Sequence, residues 1–158
     1  MNQLLKLLQQ NARFTTSELA VMLGKTEREV ADEIDALEQT GVIRAYKAIV
    51  DWEKCDSKRV TALIEIKVTP QRNSGFDEIA QHIMRFEEVE SVYLMSGGFD
   101  LAVMLTGKTF QQVAMFVSTT LAPLDGVMST STHFVLRRYK EMDVILNGDL
   151  EDDRKHIT

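Results

Sequence analysis

Apolar residues recur at two different periods along this chain, and the change falls between residues 44 and 60. In the first part the spacing is helical. Leu4, Leu5 and Leu8 form a stripe that ends at QQNARF. Leu19, Ala20 and Leu23 form a second in TTSELAVMLGK, where Thr16 is placed to cap a short helix. Gly24 suits the sharp turn that follows. Thr26-Glu27-Arg28-Glu29 is a T-x-x-E capping box, so a third helix begins there. Val30, Ile34 and Leu37 at i, i+4 and i+7 give that helix one buried face. Gly41 stops it, and VIRAYKAIV has strand character. This order predicts a winged helix-turn-helix over residues 1–44.

The rest of the chain alternates. In VTALIEIKVT, Val60, Ala62, Ile64, Ile66 and Val68 share one face of a strand, and Thr61, Glu65 and Lys67 the other. Phe76, Ile79, Ala80, Ile83 and Phe86 return to helical spacing. VESVYLMS and DLAVMLTG read as two strands joined at GGF, a hairpin signal. Phe110, Val113, Ala114, Val117 and Leu121 mark a further helix, and VMSTSTHFVLRRY a last long strand. The order βαββαβ is that of a ferredoxin-like sandwich, so the expected class is α+β. The expected divisions are a DNA-binding domain at 1–44, a linker strand at 45–59, an α/β domain at 60–140 and a polar tail at 141–158.

Composition narrows the setting. At 44% apolar and 27% charged residues, the 158-residue chain matches a globular protein. Its longest apolar runs are too short to span a membrane, and MNQLLKLLQQNARF does not read as a signal peptide. Cys55 is the only cysteine, which fits a reducing cytoplasm and is read as packing. The formal net charge of −6 argues mildly against non-specific nucleic-acid binding. The same tension appears locally. GKTEREVADEIDALEQTGVIR has the spacing of a recognition helix, yet sets Lys25, Arg28 and Arg44 against Glu27, Glu29, Asp32, Glu33, Asp35 and Glu38.

SELAVMLGKTEREVADEIDALEQTGVIRAYKAIVD, VYLMSGGFDLAVML and GVMSTSTHFVLRRYKE together resemble the Lrp/AsnC family of transcriptional regulators. The resemblance covers nearly the whole chain in order. It implies dimers that assemble into larger rings, octamers among them. It also implies double-stranded DNA bound by the N-terminal domains, and an amino acid or related small effector bound between dimers by the C-terminal ones. This chain starts later than the family's usual acidic and apolar opening segment. It holds Glu33, Asp35 and Ala36 where arginine is common in the family's recognition helix.

Such a helix reads bases with its N-terminal end, so Lys25, Thr26, Glu27, Arg28 and Glu29 are the residues nearest a groove. Arg28 suits a guanine edge, and Glu27 or Glu29 a cytosine amino group. Lys25, Arg44, Lys47 and Arg13 are the candidate phosphate contacts. On the other reading, Glu27 and Glu29 only complement the helix dipole, and Asp32, Glu33 and Asp35 form a solvated face. In the hairpin, Gly97 and Gly98 are expected at positive φ, with Asp100 bonding its own turn. The resemblance implies an effector cleft there, with Ser96, Gly97 and Gly98 supplying polar atoms and Asp100 meeting an ammonium. Thr130 and Thr132, which share a strand face, are either hydroxyl donors across that cleft or β-formers on an exposed face.

His82, His133 and His156 have no ligand-spaced partners, so neither a metal nor a cofactor is expected. His133 is assigned to a sheet face or subunit interface, and Met95, Met104 and Met128 to a sheet–helix or dimer interface. Two other readings stand beside the regulator. A sensor that does not bind DNA would dock its acidic helix on a basic partner. Siroheme decarboxylases resemble the same two-domain arrangement, and His133, Arg137, Arg138 and Tyr139 are the cluster available for that chemistry.

Overall fold

The computed structural model describes residues 2–55, 58–69 and 75–146. The chain divides into two compact units, Met1–Ile49 and Val50–Thr158.

The first unit is built on three helices, α1 (Gln3–Gln10), α2 (Thr16–Leu23) and α3 (Glu27–Gln39). Leu4, Leu19, Ala20 and Val30 are its buried centre, and Leu7, Leu8, Phe14, Ile34 and Leu37 pack around them. The cap of α2 is Thr15, one residue earlier than expected. Its hydroxyl accepts from the Glu18 amide, and Glu18 returns a carboxylate to the Thr15 amide, a reciprocal box that Thr16 cannot make. Gly24 closes α2 in the left-handed region at φ 65°, the conformation that turns the chain into α3. The strand expected in VIRAYKAIV does not form. Residues 44–50 carry no regular structure, and strand character without a neighbouring strand gives no ladder.

The second unit holds a four-stranded antiparallel sheet of β1 (Val60–Val68), β2 (Val89–Leu94), β3 (Leu101–Gly107) and β4 (Val127–Phe134), in the order β2-β3-β1-β4. Helices α4 (Asp77–Ile83) and α5 (Phe110–Phe116) cover one face. Ala62, Ile64, Ile66 and Val68 meet Leu101, Val103 and Leu105 on that face, against Ile83, Val113, Val117 and Leu121. After α5 the chain widens into a π-helical turn over Val117–Leu121, closed by the Ala122 amide on the Val117 carbonyl at 2.8 Å. The other sheet face carries Leu63, Glu65, Met104, Tyr93, Ser131 and His133, on the side away from α4 and α5.

Three details depart from expectation. The last strand ends at Phe134, and a short hairpin follows, β5 (Lys140–Glu141) with β6 (Val144–Ile145). Met142 and Asp143 turn it at φ 40° and 69°, a conformation that Asn-Gly would have announced and Met-Asp does not. Met95 and Met128 are exposed at 42% and 69%, so they fill no sheet–helix interface in the chain. The tail from residue 147, including His156, lies outside the described residues.

Candidate DNA-reading helix and effector hairpin

At the start of α3 the acidic side chains already have work. The Thr26 hydroxyl accepts from the Glu29 amide at 3.2 Å, while Glu29 Oε2 accepts from the Thr26 amide and hydroxyl, both at 2.8 Å. These bonds, the amide first, hold the Glu29 carboxyl below the usual glutamate range. Glu33 accepts from Lys25 at 2.5 Å and from Asn2 at 2.9 Å, and is held low by the same two partners, Lys25 first. Glu33 is therefore part of an ion pair and not of a bare solvated face. Arg28 lies 4.0 Å from Asp32 with both side chains largely in water, a pairing that holds it weakly. Glu27, Arg44 and Lys47 are exposed, and the Arg44 guanidinium folds back beside Gly41. Further along, the Tyr46 hydroxyl donates to Glu38 at 2.8 Å. Glu29, Glu33 and Glu38 are thus committed to a cap, an ion pair and a tyrosine hydroxyl, and Arg28 stands out toward solvent at the first turn of the helix.

In the second unit, the β2–β3 hairpin exposes Ser96, Gly97 and Gly98. Neither glycine takes a positive φ. The loop closes another way, with the Met95 amide donating to the Asp100 carbonyl at 2.8 Å. The Asp100 side chain does not bond its own turn. Its Oδ2 accepts from the amide of Val68, 32 residues away, at 2.8 Å, and its amide donates to the Ile66 carbonyl at 3.0 Å. The carboxylate thereby staples the hairpin to the end of β1, with Oδ1 uncommitted among the described residues. Thr130 and Thr132 pair with Ile66 and Ile64, so they lie half-buried on the helix-covered face and not on an exposed one. Leu101, directly after Asp100, also pairs with Ile66, which puts Thr130 two strands across from the hairpin's end.

The histidines have local neighbours. His82 stacks edge-on with Phe86, ring centroids 5.5 Å apart, and His133 Nε2 lies 3.4 Å from Glu65 on the sheet face away from α4 and α5. Cys55 is exposed, not packed. Among the described residues no helix is long and apolar enough to cross a membrane.

Residues 61–145 match the model of the Lrp/AsnC ligand binding domain, and residues 2–44 match a winged helix-turn-helix DNA-binding domain. The chain belongs to the Lrp/AsnC family. Its relatives include YugG of Bacillus subtilis, described as an uncharacterized HTH-type transcriptional regulator. That protein is 48% identical over 157 residues, which cover 98% of this chain and 93% of the relative. The leucine-responsive regulatory protein of Haemophilus influenzae is 26% identical and covers 91% of this chain and 86% of its own length. Among solved structures, the transcriptional regulator NMB0573 of Neisseria meningitidis in complex with L-methionine superposes with a TM-score of 0.72. It is 23% identical and covers 93% of this chain and 97% of its own, a likeness of fold. This Lrp/AsnC chain is a transcriptional regulator with a DNA-binding helix-turn-helix and a ligand-binding domain.

Proposed function

We propose that this regulator binds operator DNA through the first turn of α3, and that an amino acid or similar zwitterion at the β2–β3 hairpin modulates its assembly or its hold on DNA. The observation that carries the first half is the exposed Arg28 at a helix start where Glu29 is tied up in the cap and Glu33 in an ion pair. Lys25, Thr26, Glu27, Arg28 and Glu29 form the reading end, with Arg44 and Lys47 as phosphate contacts. Thr26 and Glu29 act there mainly by fixing the helix start. Binding by a single head is weak, because each phosphate neutralised contributes a log–log salt slope of about −0.9 and one head offers few cations. Two or more heads in one assembly offset that weakness.

The effector reading is supported by the exposed hairpin and by Asp100, which offers an ammonium the oxygen that Val68 does not use. The relative solved with L-methionine supports the ligand class. A ligand acts only through its differential affinity for two states, and self-association supplies those states. The sheet face away from α4 and α5, with Leu63, Met104 and the 54%-exposed Tyr93, is the surface for a second copy, and dimers pairing into octamers follow the family pattern. The protein works in the cytoplasm.

The deciding experiment is retardation of the DNA upstream of its own coding region over a salt series, with Arg28→Ala beside the parent. The parent retards the fragment at low salt, and the variant binds about tenfold or more weakly. No retardation at the lowest salt overturns the DNA reading in favour of a sensor that docks on another protein. For the effector, Asp100→Asn is the informative change, since an amide oxygen keeps the Val68 hydrogen bond and removes the charge. Calorimetry with the common amino acids should show weakened binding, and binding equal to the parent's rules out Asp100 as the ammonium partner.

A further inference from the structure

At the opposite end of β1 from the hairpin, three arginines gather around a recess of about 200 Å³. The two ends are separated by the nine residues of the strand, roughly 26 Å at the rise of an extended chain. Arg59 enters from the residue before β1. Arg137 and Arg138 come from the segment after β4, which runs alongside because the Val135 amide donates to the Thr61 carbonyl at 2.9 Å. Arg138 Nη2 donates to the Thr61 hydroxyl at 2.8 Å, and Thr61 is a buried polar residue, 6% exposed.

The carboxylates nearby are largely committed to other partners. Asp51 accepts from the Glu53 amide at 3.2 Å and lies 3.7 Å from Lys54. Glu53 accepts from the Arg138 amide at 3.4 Å, a backbone contact that leaves the guanidinium untouched. Glu90 pairs with Arg59. Arg59 is otherwise stacked on Trp52, 4.6 Å from the ring centroid, and its Nε has no hydrogen-bond partner among the described residues. Burial first, and the charge of Arg138 second, hold the Arg59 guanidinium below its ordinary range. Neither Arg137 nor Arg138 meets a carboxylate side chain within ion-pair distance among the described residues.

A guanidinium presents five N–H donors in a planar fork, and the protein takes one of those on Arg138. The Thr61 hydroxyl accepts from Arg138, and its own proton remains to be donated. Like charges gathered in a recess are stabilised by a counter-anion with two or more acceptor oxygens. We propose that this recess is a second ligand site, which takes a small carboxylate- or phosphate-bearing anion on Arg138, with Thr61 and Arg137 at its rim. The recess volume suits a metabolite of amino-acid size or smaller. The site stands apart from the effector hairpin, and its existence does not rest on that reading.

The test is calorimetric titration of the full-length protein with inorganic phosphate and, separately, with succinate, at constant ionic strength. Parent, Arg138→Gln and Lys67→Gln are compared, the last removing a charge near the far end of the same strand. Saturable binding of at least one probe is expected, weakened about tenfold or more in Arg138→Gln and unchanged in Lys67→Gln. Binding of phosphate alone marks a phosphate site, and binding of succinate a carboxylate site. If Arg138→Gln loses its unfolding transition, Arg137→Gln and Thr61→Val carry the same comparison, each expected to weaken the probe. No saturable binding by the parent overturns the proposal, as does equal binding by every variant. So does a duplex oligonucleotide that engages these arginines when neither small anion binds.

Discussion

The two units of this chain are held together in different ways. Among the described residues the N-terminal unit centres on four buried side chains, Leu4, Leu19, Ala20 and Val30, whereas eleven form the buried core of the C-terminal unit. What the smaller unit lacks in apolar volume it replaces with polar closures at helix ends. It has two complete capping boxes, Thr15 with Glu18 and Thr26 with Glu29, and the Lys25–Glu33–Asn2 cluster. The larger unit ties itself across the sheet by ladders and by the Asp100 staple. A small core buries too little surface to be robust, so the DNA-binding unit is tuned near the margin by groups that water can reach.

The comparison can be broken most directly at Leu19, which is fully buried. Leu19→Ala should cost about 3 kcal/mol, much of the stability available to a unit this small, and abolish DNA retardation. Calorimetric unfolding should show the lower transition lost and the upper one in place. A single transition that moves as a whole would mean that the two units unfold together. A smaller effect is expected at the caps. Thr26→Ala removes the bond to the Glu29 amide and should cost about 1 kcal/mol. Thr109→Ala removes the matching bond at the start of α5, where the Thr109 hydroxyl accepts from Gln112 at 3.0 Å. The same lost bond should lower the midpoint of the N-terminal transition further than that of the C-terminal one, and equal shifts would erase the contrast.

The smallest effect concerns acid. Glu18, Glu29 and Glu33, all in the N-terminal unit, have carboxyls held below their ordinary range, each chiefly by its hydrogen-bonded partner. A depressed folded value contributes stability above the unfolded value, near about 4.3, and loses it as pH falls through the folded one. The N-terminal midpoint should therefore drop as pH is lowered from about 5 toward 3, with a shallower drop in a Thr15→Ala, Thr26→Ala double variant. A pH profile identical in parent and double variant would show that the caps do not carry it.

These contrasts also explain what could be read in advance. The T-x-x-E box at Thr26, the helical stripes and the alternation in β1 are local patterns, and each element formed where its pattern lay. The cap of α2 slipped from Thr16 to Thr15 because two adjacent threonines offer the same chemistry, and only the distance to Glu18 separates them. The partners of Asp100 and Arg138 lie 32 and 77 residues away, set by sheet register, which no local window contains. The face of Thr130 and Thr132 was equally hidden, since alternation shows that two residues share a side but not which side the helices cover. Lys25 and Glu33, eight residues apart on either side of the Thr26 cap, meet only once α3 has started there.

The π-helical turn after α5 makes chain length itself a structural quantity. Val113, Val117 and Leu121 all enter the core at intervals of four residues, and in an unbroken α-helix each such step would rotate the side chain by about 40° away from the last. The wider turn at Val117–Leu121 counters that drift and returns Leu121 to the sheet. Inserting one more residue there would leave the composition almost untouched and yet put the leucine nine positions after Val113, about 180° around an α-helix, off the sheet. Substitution is the mild insult at this place in the chain, and an added residue is the severe one.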